Sequence, residues 1–325
     1  TNHYSSEDTA PAVQNFVQKY TEKYGTESLN ACAALYYDAI YMLLQAAENG
    51  GGTDTASLVK GMTGMEFTGV GGKIKLDENG EVTDVPYDQA TYMDVAPEDR
   101  CENVRREICL MLESMGISPE SSHHEEGPGQ NEIDFRYSDA ITAADNALLF
   151  TSVVKAVAVS NGLYADFTPK PIPEQAGNGL HINISVRQDN GEQVSQYFMA
   201  GILAHIREMT AYLNPTESSY RRLGERKAPR FVTWSPGNRS QLIRIPAAHG
   251  VNNRMELRSP DPCANPYLAF SLLIRAGMEG IRRELKLCDP CNLNLYDVPA
   301  SMVREYDCLP NTLMEAIRAA QDSTF

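Results

Sequence analysis

The chain has 325 residues, with 28 Lys plus Arg against 43 Asp plus Glu and a net charge of −15. That length allows two domains with a sizeable core, and the acidic balance argues against a nucleic-acid partner. No run approaches the roughly 18 apolar residues of a membrane span, and no basic-then-apolar signal segment opens the chain. The start at Thr1, without Met, is expected of a fragment or a processed product. Seven cysteines, an odd number without framework spacing, point to a reducing compartment. Cys288-Asp289-Pro290-Cys291 is a CxxC with no second pair, so it reads as incidental rather than as a zinc or redox site.

In chain order, residues 11–24 and 31–49 read as helices, the second stopped at Asn49-Gly50-Gly51-Gly52. Glu98 to Met115 is amphipathic, with Val104, Ile108, Leu112 and Met115 on one stripe and Gly116 as the stop. Strands follow near 118–135, around the turn signal Gly127-Pro128-Gly129. Ser138 is the expected N-cap of a long helix to about Ser160, closed by Asn161-Gly162. Helices are expected at 196–213 and 265–286, the latter with Leu268, Leu272 and Ala276 facing inward. Strands near 180–187, 230–234, 240–246 and 253–258 complete a mostly antiparallel sheet backed by helices, an α+β arrangement.

The stretch from His123 to Phe135 carries chemistry. Folding back at its turn brings Glu125 and Glu132 close together. Two such carboxylates repel unless a proton or cation lies between them, and gathered oxygens suit a hard divalent ion such as Mg²⁺ or Mn²⁺. Taken alone, the hairpin reads equally as a polar surface turn. Leu180 to Arg187 alternates strictly, placing His181, Asn183, Ser185 and Arg187 on one face. Arg254, Glu256 and Arg258 share a face in the same way, and Asn238 to Pro246 adds Arg239 and Arg244. A sheet with one apolar face and one bearing Glu, His and Arg fits a metal–phosphate site, because guanidinium groups fork onto phosphate oxygens.

From about Glu81 to Phe325 the chain resembles the catalytic domain of a type I glutamine synthetase. The matching runs include Ser122-His123-His124-Glu125, Gly129-Gln130-Asn131-Glu132, Gly177-Asn178-Gly179-Leu180-His181 and Pro169-Lys170-Pro171. Asn238-Arg239-Ser240, Ile243-Arg244-Ile245-Pro246 and Arg258-Ser259-Pro260-Asp261-Pro262 continue the series. Phe16, Tyr20, Lys23-Tyr24-Gly25, the run Ala33 to Tyr41, and Phe67 to Ile74 with Asp77-Glu78-Asn79-Gly80 form a second pattern. On these residues the stretch from about Asn15 to Gly80 resembles the closing part of a periplasmic branched-chain amino-acid-binding protein. The expected organisation is therefore a partial α/β binding-protein segment, 1–78, without a ligand of its own, joined to a catalytic domain, 79–325. The short shared turn at the join fits recombination or sequence assembly better than a selected fusion of whole domains.

The first resemblance implies ATP-dependent ligation of ammonia to glutamate through a γ-glutamyl phosphate, in the cytoplasm. It implies two divalent cations, one held by Glu125 and Glu132 and the other by His181 and Glu256. Arg222 and Arg258, with the Gly177 backbone, would bind glutamate; Asn183 and Ser185 would lie near the nucleotide. Arg239 and Arg244 would take the phosphates. Relatives often carry Glu before the flap Ala-Pro, where it helps deprotonate ammonium; here Lys227 precedes Ala228-Pro229, leaving Glu225 as the substitute. Two further metal-ligand glutamates are expected just before the Asp-rich turn, where binding-protein-like sequence stands instead, and Glu66-Phe67 only echoes them. The small N-terminal domain that completes a neighbour's site in the family's ring is also not recognised. An inactive chain, through truncation, and doubtful ring assembly follow. A γ-glutamyl ligase acting on another amine, or a non-catalytic fusion, are the alternatives.

Overall fold

The computed structural model describes residues 10–26, 29, 31–70, 72–76, 82–83, 86–186, 192–247 and 254–325. The expected join at 77–80 and Arg187 lie outside them. Two compact units emerge, one from residues 1–116, 122–133 and 151–165, the other from 117–121, 134–150 and 166–325.

In the first unit, α1 (Pro11–Tyr24) starts on a proline, whose missing N–H costs nothing in a first turn. It packs Val13 and Phe16 with Ala34 of α2 (Ala31–Gly50) and Val70. Asp54 caps α3 (Thr55–Met62) through the amides of Ala56 and Ser57. β1 (Glu66–Gly69), β2 (Gly72–Leu76) and β3 (Val82–Thr83) form an antiparallel sheet in that order. Ala46, Met65, Phe67 and Leu76 make a second small core. Glu66 stays at the surface, 3.1 Å from Lys75. In α4 (Glu102–Ser114) the buried stripe is Arg105, Ile108 and Leu112, while Met115 is 44% exposed. The expected stripe is thus turned toward Arg105, because that guanidinium is drawn inside by Asp99.

β4 (Pro119–His124) and β5 (Asn131–Phe135) pair as a two-stranded hairpin. Next comes α5 (Ala140–Ser160), capped not by Ser138 but by Asp139, whose carboxylate accepts from the amides of Ile141 and Thr142. By length and composition α5 could cross a membrane. It nevertheless carries Asp145, which accepts the Tyr267 hydroxyl.

The second unit centres on a four-stranded sheet of β6 (Ile182–Ile184), β7 (Trp234–Pro236), β8 (Ile243–Ile245) and β9 (Met255–Leu257), in the order β6-β9-β8-β7. β9 runs antiparallel to both neighbours, whereas β7 and β8 are parallel. The connection between them cannot be a simple hairpin: Asn238 and Gln241 donate to the Leu293 carbonyl, drawing the loop outward before β8 begins. Behind the sheet lie α6 (Glu192–Leu213), α7 (Glu217–Arg222), α8 (Pro266–Arg282) and α9 (Leu313–Gln321). Ile206, Leu213, Leu242, Ile243, Leu257 and Leu273 are fully buried in the shared core. The inward side of α8 differs from expectation by one position. Ala269, Leu273, Ala276 and Gly280 are buried, while Leu268 is 51% exposed. Gly201 and Gly280 explain this: a Cβ on Gly201 would lie 2.1 Å from the Ala276 carbonyl, so α6 and α8 meet on small residues.

Candidate active site

The first unit supplies a cluster of cation donors. The Glu125 amide donates to Gln130 O at 2.8 Å, closing the tip. Gly129 takes the left-handed φ of +64° that this reversal requires. As a result, atoms of His123, Glu125 and Glu132 lie within 4.8 Å of one another. His123 Nε2 stands 3.8 Å from Glu125 and 4.0 Å from Glu132, buried and with no hydrogen-bond partner among the described residues. An imidazole and two carboxylates converging on one point, with an unsatisfied buried nitrogen, fit a Mg²⁺ or Mn²⁺ ion. His123 was absent from the expected ligands, although it is adjacent in the His-His-Glu run.

The second unit supplies a charged sheet. Glu256 lies on the central strand β9, opposite Asn183 on β6 and Arg244 on β8. Its Oε1 lies 3.2 Å from His181 Nδ1 and 3.5 Å from Arg258 Nε, and its Oε2 accepts from Arg244 Nη1 at 2.8 Å. Burial opposes ionisation of Glu256, but His181, Arg258 and Arg244 outweigh it and hold the carboxyl down at about 2. Burial lowers the His181 pKa, favouring the neutral ring that can ligate a cation. His181 and Glu256 therefore offer one nitrogen and one oxygen to such an ion.

Arg222 ends α7, whose first turn is fixed by a Thr216–Ser219 capping box. It donates to the carbonyls of Ser259 at 2.7 Å and Arg258 at 3.2 Å. Burial brings its pKa down to about 10 and lowers that of Arg258. Arg222 Nε, Arg258 Nε and Arg258 Nη1 are buried without hydrogen-bond partners among the described residues. Such donors suit an anionic ligand. Gly177 and Gly179 permit this geometry: a Cβ on Gly177 would sit 2.4 Å from Pro169 O, and one on Gly179 2.8 Å from Arg222 Nη2.

The remaining expected residues are more open. Asn183 is exposed and accepts from Arg254 Nε at 3.0 Å; Ser185 is exposed. Arg239 is exposed on the loop between β7 and β8. That loop is braced by the chain after Cys288, through Ser235 to Asn292 and Asn238 to Leu293. Glu225 lies on a turn closed by Ala228 N to Glu225 O and held by Lys170 Nζ at 2.8 Å. Lys170 also donates to Gln175 O, tying that turn to the segment before Gly177.

Cation donors on a hairpin in one unit, and buried arginines beside a strand glutamate in the other, each invite comparison with known proteins. Residues 18–325 match the family described as glutamine synthetase, catalytic domain, and the chain belongs to that family. The match begins inside the segment that carries the second resemblance. A glutamine synthetase of Methanosarcina mazei is 44% identical over 266 residues, covering 77% of this chain and 60% of the relative. One from Clostridium saccharobutylicum is 44% identical over 262 residues, covering 76% and 59%. Among solved structures, a GmaS/ADP complex aligns with a TM-score of 0.66 at 30% identity, covering 77% of this chain and 61% of that one. A Plasmodium falciparum glutamine synthetase aligns with a TM-score of 0.64 at 27% identity, covering 73% and 56%. The chain thus spans about 60% of the length of the curated relatives it matches.

Proposed function

We propose that this chain contributes to ATP-dependent ligation of ammonia to glutamate, with a γ-glutamyl phosphate formed and then displaced. The observation that carries the reading is the pair of buried arginines, Arg222 and Arg258, with donors left for an anion. They take the glutamate carboxylate, and the Gly177 backbone lies alongside. Arg239 and Arg244 receive the phosphates of ATP, with Asn183 and Ser185 toward the nucleotide. For Arg244 this requires giving up its bond to Glu256. Glu225 accepts the proton that ammonium must lose before attack. Glu125 and Glu132 would hold one Mg²⁺ or Mn²⁺, and His181 with Glu256 a second. Bound there, the ions would offset charge on the transferring phosphoryl group.

The proposed setting is the cytoplasm, where the six cysteines whose side chains are described, all free, would stay reduced. Residues 1–78 are proposed to be an appended binding-protein-like segment, a reading supported by the antiparallel β1–β2 pair and the two small cores that lie within it. Lys227, where relatives often carry Glu, favours one second reading: γ-glutamyl transfer to an amine other than ammonia. Glutamate-dependent ADP release with ammonium against methylamine tests both. Ammonium as the better acceptor supports the first reading, and methylamine as the better one replaces it with the second.

A further inference from the structure

Glu125 and Glu132 belong to an isolated two-stranded hairpin, an element with little stiffness of its own. Two buried carboxylates that the reaction scheme leaves unused tie its tip to the same unit. Asp88 is 5% exposed. Its Oδ1 accepts from the Gly129 amide at 3.0 Å and contacts His124 Nε2 at 2.9 Å, while Oδ2 accepts from the Arg100 amide at 3.1 Å. His124 is fully buried, and its Nδ1 meets the Glu125 carbonyl at 2.6 Å. Asp88 therefore grips the residue before Glu125 and the left-handed glycine that turns the chain back toward Glu132.

Asp99 provides the second tie. It accepts two bonds from Arg105, at 3.0 and 2.6 Å, in a pair that is almost wholly buried. The other side of the Arg105 fork reaches both strands: Nε donates to Ser122 Oγ on β4 at 3.2 Å, and Nη1 to Asn131 Oδ1 on β5 at 2.5 Å. Asn131 immediately precedes Glu132 and also donates to the Gly129 carbonyl at 2.9 Å.

We propose that Asp88 and the Asp99–Arg105 pair are positioning residues that hold Glu125 and Glu132 at the spacing a divalent cation needs. The inference rests on the reading of the hairpin as a cation site. Without a cation between them the two carboxylates repel, and a loose hairpin would splay to relieve them, so cation affinity depends on what resists that splaying. A rigid fork bonded to both strands resists it; a single tether would not. Groups behind metal ligands in this way commonly govern affinity by about 10–100-fold.

The test is Mn²⁺ binding to the full chain, read from the electron paramagnetic resonance signal of free Mn²⁺, with melting in EDTA measured beside it. Ser122→Ala combined with Asn131→Ala removes the strand ends of the fork and keeps the buried Asp99–Arg105 pair. This double variant should bind Mn²⁺ about 10–100-fold more weakly, with only a modest fall of its EDTA melting temperature from the Arg105 Nε that loses its acceptor. Asp88→Asn should weaken Mn²⁺ as well, with some loss of melting temperature because its buried donors lose a carboxylate. Wild-type affinity in the double variant would overturn the proposal and leave the fork a purely structural device. Glu132→Ala separates the two levels. It should abolish binding at this site, and unchanged binding there would remove the cation site and the positioning role together.

Discussion

Replacing Glu256 with Gln keeps the side chain's shape and an acceptor for Arg244 but removes the charge that His181, Arg244 and Arg258 surround. Arg258, 3% exposed, would then keep its charge without that counterion. The drop of the Glu256 pKa from 4.5 to about 2 measures how strongly the folded state prefers the carboxylate. At roughly 1.4 kcal/mol per pKa unit it amounts to about 3 kcal/mol. Breaking a buried ion pair by removing one partner costs about 3–5 kcal/mol, which agrees. The folded value lies below the unfolded one. The contribution is therefore complete above about 4.5 and is lost as pH falls through about 2. Urea denaturation of both proteins in EDTA should give a gap of about 3 kcal/mol near pH 7 that narrows steadily below pH 4.5. The neutral Gln does not titrate, so the narrowing follows Glu256 together with its coupled partner His181. Equal stability near neutrality, or a gap that persists unchanged in acid, would refute the reasoning.

Three further outcomes follow from packing and placement. Gly177→Ala should cost about 1–3 kcal/mol and raise the KM for glutamate, because its Cβ meets the Pro169 carbonyl, which is backbone and cannot rotate away; a denaturation curve and a KM measurement check it. Leu257→Ala, in the centre of the sheet and fully buried, should lose about 2–5 kcal/mol in urea unfolding. Arg239→Ala should weaken ADP binding in calorimetry while leaving the unfolding midpoint in place, since Arg239 is exposed.

The helices were largely legible from sequence because their signals are local. Pro11 and Gly25 bracket α1, and the run of glycines after Asn49 ends α2. The errors came from contacts that periodicity does not record. Arg105 turned the buried side of α4 because Asp99 neutralises it, and the glycines of α6 and α8 set which side of α8 faces inward. At the site, the carboxylates and arginines were recognisable from the alternation of short strands and from family likeness. What holds them was not. Asp88 meets His124 across 36 residues, and Lys170 meets Glu225 across 55. Neither partner carries a local pattern. The parallel pairing of β7 with β8 was hidden for the same reason, since the loop joining them is braced by Leu293, well beyond both strands.

The central claim is that Arg222 and Arg258 receive glutamate for ligation to ammonia. It is tested most directly by glutamine formation from ¹⁵N-ammonium, glutamate and ATP, followed by NMR. The protein for this assay carries the N-terminal portion of the Methanosarcina mazei relative in place of residues 1–78. The account predicts ¹⁵N-glutamine matched by ADP. It also predicts that Arg258→Gln lowers the rate by about 2–4 kcal/mol of barrier, on the order of a hundredfold. A folded, Mn²⁺-loaded protein that releases ADP without glutamine, or an Arg258→Gln variant that works as well as its parent, would contradict it.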